Sequence, residues 1–230
     1  MSTTASNPKK FKITDLPDYT RGEELFNMIT HITGGGLGIV ALLACVIVAG
    51  LHHNVWGIVS GIIYGISVII LFTVSSVYHG LHVGLPKRVF RVLDHCMIYL
   101  LIAGTYTPVV LGQFRVVYPF DAWLIFGVIW GLAALGITLT AIDRKKYSKF
   151  AMVCYLGMGW AAMFRVTRLI EVLGVAFFVL IIAGGVLYTV GVVFYALGRK
   201  KKYMHSVFHL FVNAASVLHS IAIAAFVMPI

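Results

Sequence analysis

Residues 55–79 read VWGIVSGIIYGISVIILFTVSSVYH. The run contains no Asp, Glu, Lys or Arg, and its one histidine, His79, stands at the end. A bilayer core about 30 Å thick takes roughly 20 residues of helix to cross. The run therefore predicts a membrane-spanning helix that finishes in a polar cluster. Six further apolar stretches follow the same rule, at 25–50, 92–112, 120–142, 149–166, 172–197 and 204–228. The fifth is the weakest, because Arg165 and Arg168 shorten it. The connections are brief, so residues 23–230 form one domain, and the predicted fold class is an all-α integral membrane protein of seven transmembrane helices. Gly34-Gly35-Gly36 and Gly184-Gly185 fall inside helices, where small residues let backbones approach in lipid.

The composition agrees. Hydrophobic residues make up 60% of the 230-residue chain and charged residues 11%, against about a quarter charged in soluble domains. A soluble fold of this size buries too little of its surface to hide so much apolar area. The net charge of +10 would favour nucleic acid in a soluble protein. Here the basic residues sit in short clusters between apolar runs and lack interleaved aromatics, so they read as membrane-surface anchors and exclude a nucleic-acid partner. Cys45, Cys96 and Cys154 lie inside apolar runs with no CxxC spacing and give no disulfide framework.

Lys and Arg placement sets the orientation. Fifteen of the eighteen basic residues fall in residues 1–22 and in the second-to-third, fourth-to-fifth and sixth-to-seventh connections, leaving Arg115, Arg165 and Arg168 for the opposite side. The positive-inside rule then predicts a cytoplasmic N-terminus and an outside C-terminus. Residues 1–22 lack the apolar core of a cleavable signal peptide and read as a mobile cytoplasmic tail, with the first helix as an uncleaved anchor.

With that topology, four polar groups from distant segments fall at similar depth in the inner third of the membrane. They are Glu23, Glu24, Asn27 and His31; Ser75 with His79; Asp94 with His95; and His205 with His209. Ionisable groups at such depth usually face the bundle interior and mark function. His205 and His209 are spaced i,i+4 and share a helix face. Such a pair is compatible either with packing histidines or with a metal site. In the second reading His79 supplies a third ligand, and three protein ligands with one open position is the catalytic zinc pattern. Asp94 then stands outside the ligand set or handles protons. Glu24, Asn27 and His31 wall the site, or Glu23 and Glu24 are only helix-start charges favoured by the dipole. His95 points about 100° around its helix from Asp94, and His219 lies about 15 Å deeper than His209, so His219 pairs with another helix. Arg165, Arg168 and Glu171 read as an interfacial cluster, and Asp121 as a helix-end residue. Thr105 and Thr107 can answer the carbonyl that Pro108 frees.

At these residues the chain resembles the haemolysin III-type membrane proteins of the progestin and adipoQ receptor family, which includes the adiponectin receptors. The motifs are Glu24-Leu-Phe-Asn27 with His31, Ser75-Ser-Val-Tyr-His79, Asp94-His-Cys-Met-Ile-Tyr-Leu-Leu-Ile-Ala-Gly-Thr-Tyr-Thr-Pro108, Gly157-Met-Gly-Trp160, Gly184-Gly-Val-Leu-Tyr188, and His205-Ser-Val-Phe-His209 with Leu218-His219. The resemblance implies seven helices with the N-terminus inside, and zinc bound by histidines matching His79, His205 and His209. It further implies an aspartate matching Asp94 and a serine matching Ser75. Ser220 and Arg165 depart from the pattern, away from the metal motif. Zinc rests partly on this resemblance, since imidazole also suits iron, copper and nickel.

Three functional readings follow. The first is a zinc-dependent hydrolase of a membrane lipid amide or ester, ceramidase-like and linked to membrane lipid and fluidity homeostasis, in the cell membrane. Asp94 and Ser75 are its catalytic candidates. The second is a non-enzymatic lipid or membrane-state sensor with structural zinc. The third is a pore-forming cytolysin or transporter, which needs polar residues along the whole depth. The sequence does not fix substrate or oligomeric state.

Overall fold

A computed structural model describes residues 16–198 and 200–230; residues 1–15 of the predicted tail, and Arg199, lie outside the described residues. The described chain is helical throughout. Its elements are α1 (Arg21–Leu51), α2 (Val55–Gly80), α3 (Leu85–Leu111), the short α4 (Gln113–Val117), α5 (Pro119–Asp143), α6 (Ser148–Trp160), a 3-10 segment (Ala161–Arg165), α7 (Val166–Leu197) and α8 (Met204–Phe226). Apart from α4, that is the expected set of seven helices.

Local chemistry sets the ends. α1 starts with a capping box, in which Thr20 Oγ1 accepts from Glu23 N and the Glu23 carboxylate accepts from Thr20 N. This arrangement satisfies two orphan donors at once. Asn54 caps α2 by accepting from Gly57 N at 2.7 Å, and its amide donates to Ile230 O at 2.6 Å, tying the α1–α2 turn to the end of the chain. α3 begins at Leu85, seven residues ahead of the predicted 92, with Pro86 in its first turn. Lys87, Arg88 and Arg91, read above as loop cations, therefore lie on the helix. Pro108 sits inside α3, and the hydroxyls of Thr105 and Thr107 donate to Leu101 O and Ala103 O, each at 2.8 Å.

Six helical stretches are long and apolar enough to cross a membrane when Ser148–Leu197 is taken as one continuous 50-residue stretch. That stretch is two legs. Trp160 Nε1 donates to Thr189 Oγ1 at 3.1 Å, whereas 29 residues of straight helix would separate them by about 43 Å. The chain reverses at Gly174, whose φ of 84° breaks the helix; only glycine adopts such a φ without strain. The turn was predicted earlier, between 166 and 172. Arg165 and Arg168 do not end the helix there, because both pair with Asp121 on α5, Arg165 Nε at 3.1 Å. Glu171 joins them by accepting from Tyr118 Oη at 2.6 Å. The first leg joins α6, its 3-10 continuation and the part of α7 before Gly174 and spans about 40 Å, enough for one crossing.

Each helix packs on its chain neighbours, and α8 closes the ring against α1. The outer surface is apolar, with Ile29, Val40 and Ile47 of α1, Trp123 and Leu135 of α5, and Val179 and Val193 of α7 among the exposed side chains. In water such a surface would aggregate; in lipid it is the solvent-facing side. The core is buried around Tyr64, Phe72, Tyr99, Ile129 and Phe177.

Candidate metal centre and its cavity

The closed ring brings the last turn of α2 beside the first turns of α1 and α8. His79 ends α2, Ser75 stands one turn before it, and His205 and His209 occupy successive turns of α8. His79, His205 and His209 each offer a ligand atom within 4.8 Å of the others. His209 Nε2 and His205 Nε2 face each other at 3.1 Å. Tetrahedral zinc with bonds near 2.0–2.1 Å holds its nitrogens about 3.3 Å apart, so these two already match, and the third, within 4.8 Å of both, has at most about 1.5 Å to close. His79 Nε2 is buried with no hydrogen-bond partner among the described residues. A buried lone pair without a partner is costly, and an ion shared with the two facing nitrogens would satisfy it. The donor set therefore fits a divalent metal that accepts imidazole.

The remaining candidates divide. Asp94 on α3 stands near Ser75 of α2, and both line a cavity of about 220 Å³ that also takes in His205 and His209. His95 lines the same cavity, but Nδ1 donates to Arg91 O at 2.8 Å and Nε2 meets Tyr195 Oη at 3.4 Å. Both its nitrogens are occupied, so it is no ligand. His219 bonds Ile181 O of α7 at 3.1 Å, pairing with another helix as expected. His31 stacks on His209 with ring centroids 3.8 Å apart. It walls the site, and neither its ring nor the Asn27 amide has a hydrogen-bond partner among the described residues. The two glutamates split between the expected roles. Glu23 caps α1 and accepts from Tyr203 N at 2.7 Å, whereas Glu24 accepts from His79 Nδ1 at 2.6 Å.

Two participants escaped the sequence reading. Lys87 is buried in the first turn of α3, with Nζ 2.9 Å from Glu24 Oε1. A cation in a helix's first turn opposes the dipole, a local conflict that would have singled it out had the helix start been placed correctly. Tyr19, in the predicted tail, stacks on His205 at 5.0 Å and lines the cavity with Pro17. Partial burial pushes its phenol above the usual value, so it remains neutral at physiological pH. No pattern in one sequence marks it.

The cavity runs from this end toward Trp160, Gly185 and His219 between apolar walls that include Ile98, Leu101, Leu156 and Phe208. A smaller hollow of about 60 Å³, lined by Met163, Phe177 and Phe178, adjoins it across Thr105, Tyr106 and Trp160. A polar head and an apolar body share one partly open space.

Comparison with known proteins agrees with this architecture. The family model described as "Haemolysin-III related" matches residues 19–220. The chain is 36% identical over 218 residues to "Hemolysin-3" of Bacillus cereus, covering 95% of this chain and 97% of that protein. It is also 36% identical over 198 residues to the "Hemolysin-3 homolog" of Bacillus subtilis, covering 86% and 91%. A more distant relative is the human "Monocyte to macrophage differentiation factor", 28% identical over 207 residues, covering 87% and 83%. The apolar helices and these matches together make the chain a multi-pass integral membrane protein, and it belongs to the haemolysin-III-related family.

Proposed function

We propose that this protein is a zinc-dependent hydrolase acting on the amide or ester bond of a membrane lipid, serving lipid and fluidity homeostasis in the cell membrane. The observation that carries the reading is the meeting of three histidines able to hold a metal with Asp94 and Ser75 beside one largely apolar cavity. His79, His205 and His209 would hold the zinc, which supplies Lewis acidity that polarises a carbonyl and acidifies water. Asp94 takes a proton at its carboxylate and returns it to the leaving group. Ser75 holds that carboxylate in place through its hydroxyl. The apolar walls bind the lipid body and keep bulk water from the reacting bond. The basic clusters support an inside N-terminus, which sets the site near the cytoplasmic headgroup boundary.

A sensor with structural zinc is the second reading, favoured by the way the histidines bridge α2 and α8: metal there would clamp two helices. The relatives' name of haemolysin invites a cytolytic reading, but Asp94 and the three converging histidines gather at one end of the bundle, and His219 at the far end of the cavity is tied to Ile181 O.

The first test is elemental analysis of detergent-purified protein, wild type against His205→Ala/His209→Ala. One zinc per chain, lost in the double variant, is the expected result, followed by metal-dependent turnover in a lipid amide and ester screen. Equal metal content in the two samples would overturn the metal site.

A further inference from the structure

Beside His79 the site carries two charged groups, Glu24 and Lys87, that the hydrolase reading leaves unused. His79 Nδ1 lies 2.6 Å from Glu24 Oε2, and the other Glu24 oxygen lies 2.9 Å from Lys87 Nζ. The Lys87 ammonium also donates to Tyr78 O and Leu81 O, each at 2.9 Å, at the end of the helix that carries His79. Its three hydrogens thus have three acceptors, and the residue is only 3% exposed. Its position is fixed, and it fixes the carboxylate in turn.

An ionised carboxylate only accepts. His79 Nδ1 must therefore carry the ring hydrogen, leaving Nε2 with a bare lone pair, and Nε2 is the buried atom without a partner. The rings of His205 and His209 stand 5.5 and 5.0 Å from that of His79. We infer that Glu24 is the positioning residue of the metal centre, holding His79 in the tautomer that can ligate, with Lys87 fixing which way Glu24 can serve it. The inference rests on the metal reading above and assigns a role to one residue outside the ligand set.

Glu24→Gln separates this role from simple packing. An amide presents one acceptor and one donor. Lys87 requires the acceptor, so the NH2 group turns toward His79 Nδ1, forces the ring hydrogen onto Nε2 and removes the lone pair. A nearly isosteric change should then weaken metal binding about 10–100-fold, the range for lost carboxylate partners of ligating histidines. Glu24→Asp, which accepts on both sides but is one methylene shorter, should fall between. Glu23→Gln is the control: it loosens the start of α1, where Glu23 meets Thr20 and Tyr203, without touching His79.

The experiment titrates Co2+ into the full-length, detergent-purified wild type and these variants, following the ligand-field absorption and competition with a chelator. Alongside it, 15N NMR of histidine-labelled, metal-free wild type reads the His79 tautomer, assigned by its loss in His79→Ala; this arm stands even if Glu24→Gln does not fold. The expected result is weakened Co2+ binding in Glu24→Gln, near wild-type binding in Glu23→Gln, and a hydrogen on His79 Nδ1. Glu24→Gln binding within threefold of wild type, or a hydrogen on Nε2, overturns the inference and leaves the metal site standing. A wild-type chain that takes up no Co2+ overturns both.

Discussion

Asp94→Asn separates a catalytic from a structural metal site. Asp94 is not one of the three converging histidines, and its side chain keeps 21% exposure on the cavity wall. An asparagine oxygen can still accept from the Ser75 hydroxyl, so the fold loses only the difference between a charged and a neutral hydrogen bond, about 1 kcal/mol. Metal content should stay at the wild-type level. The proton-handling role is worth far more. General acid–base groups contribute typically about 10²–10⁴-fold, or roughly 2.7–5.5 kcal/mol at the transition state. The assay is turnover of a fluorescent lipid amide in detergent micelles, with metal analysis and a thermal melt on the same sample. The expected pattern is a fall in kcat of at least about 100-fold with metal and melting temperature nearly unchanged. Undiminished turnover at full metal loading would refute Asp94 as the proton carrier. Parallel loss of metal and turnover would show that Asp94 supports the ion, and would refute the division of roles drawn here.

Two further changes probe the walls. Tyr19 stacks on His205 and lines the cavity beside it, so Tyr19→Ala should speed the stripping of bound zinc by a chelator, followed by stopped-flow absorbance; an unchanged rate would mean that the ion exchanges by another route. A Cβ at Gly184 would collide with the His219 ring and crowd the α7–α8 contact. Gly184→Ala should therefore lower stability by about 1–3 kcal/mol, as overpacked cores do, read as a drop in melting temperature in detergent; a stability equal to wild type would show that the two helices part without cost.

The seven helices could be read from hydropathy because lipid-facing runs leave little choice of structure. Their ends could not. Lys87, Arg88 and Arg91 lowered the apolarity of the first turns of α3 and pushed its predicted start past them, although α3 runs from Leu85. Arg165 and Arg168 made a turn look necessary, but Asp121 answers both, and the chain stays helical until Gly174 permits the reversal. Lys87, Arg165 and Arg168 have partners far along the chain, Glu24 and Asp121, that a local reading of hydropathy does not see.

The same blindness to partners divides the candidate site. In a closed ring of mostly antiparallel helices, the end of one helix and the start of the next lie at the same end of the bundle. Depth alone therefore gathered Ser75, His79, Asp94, His205 and His209, and spacing alone put the last two on one face. Depth cannot tell which nitrogen of a histidine faces inward. That choice is made by the hydrogen bonds each ring meets: Glu24 of α1 on His79, and on His95 the Arg91 carbonyl of its own helix together with Tyr195 of α7. Asp94 and His95 are adjacent in sequence and both line the cavity, yet one stands there beside Ser75 while the other has both nitrogens engaged. The residues that make a histidine a ligand or a packing group are thus the ones a single sequence conceals, and Glu24 with Lys87 is where substitution should distinguish them.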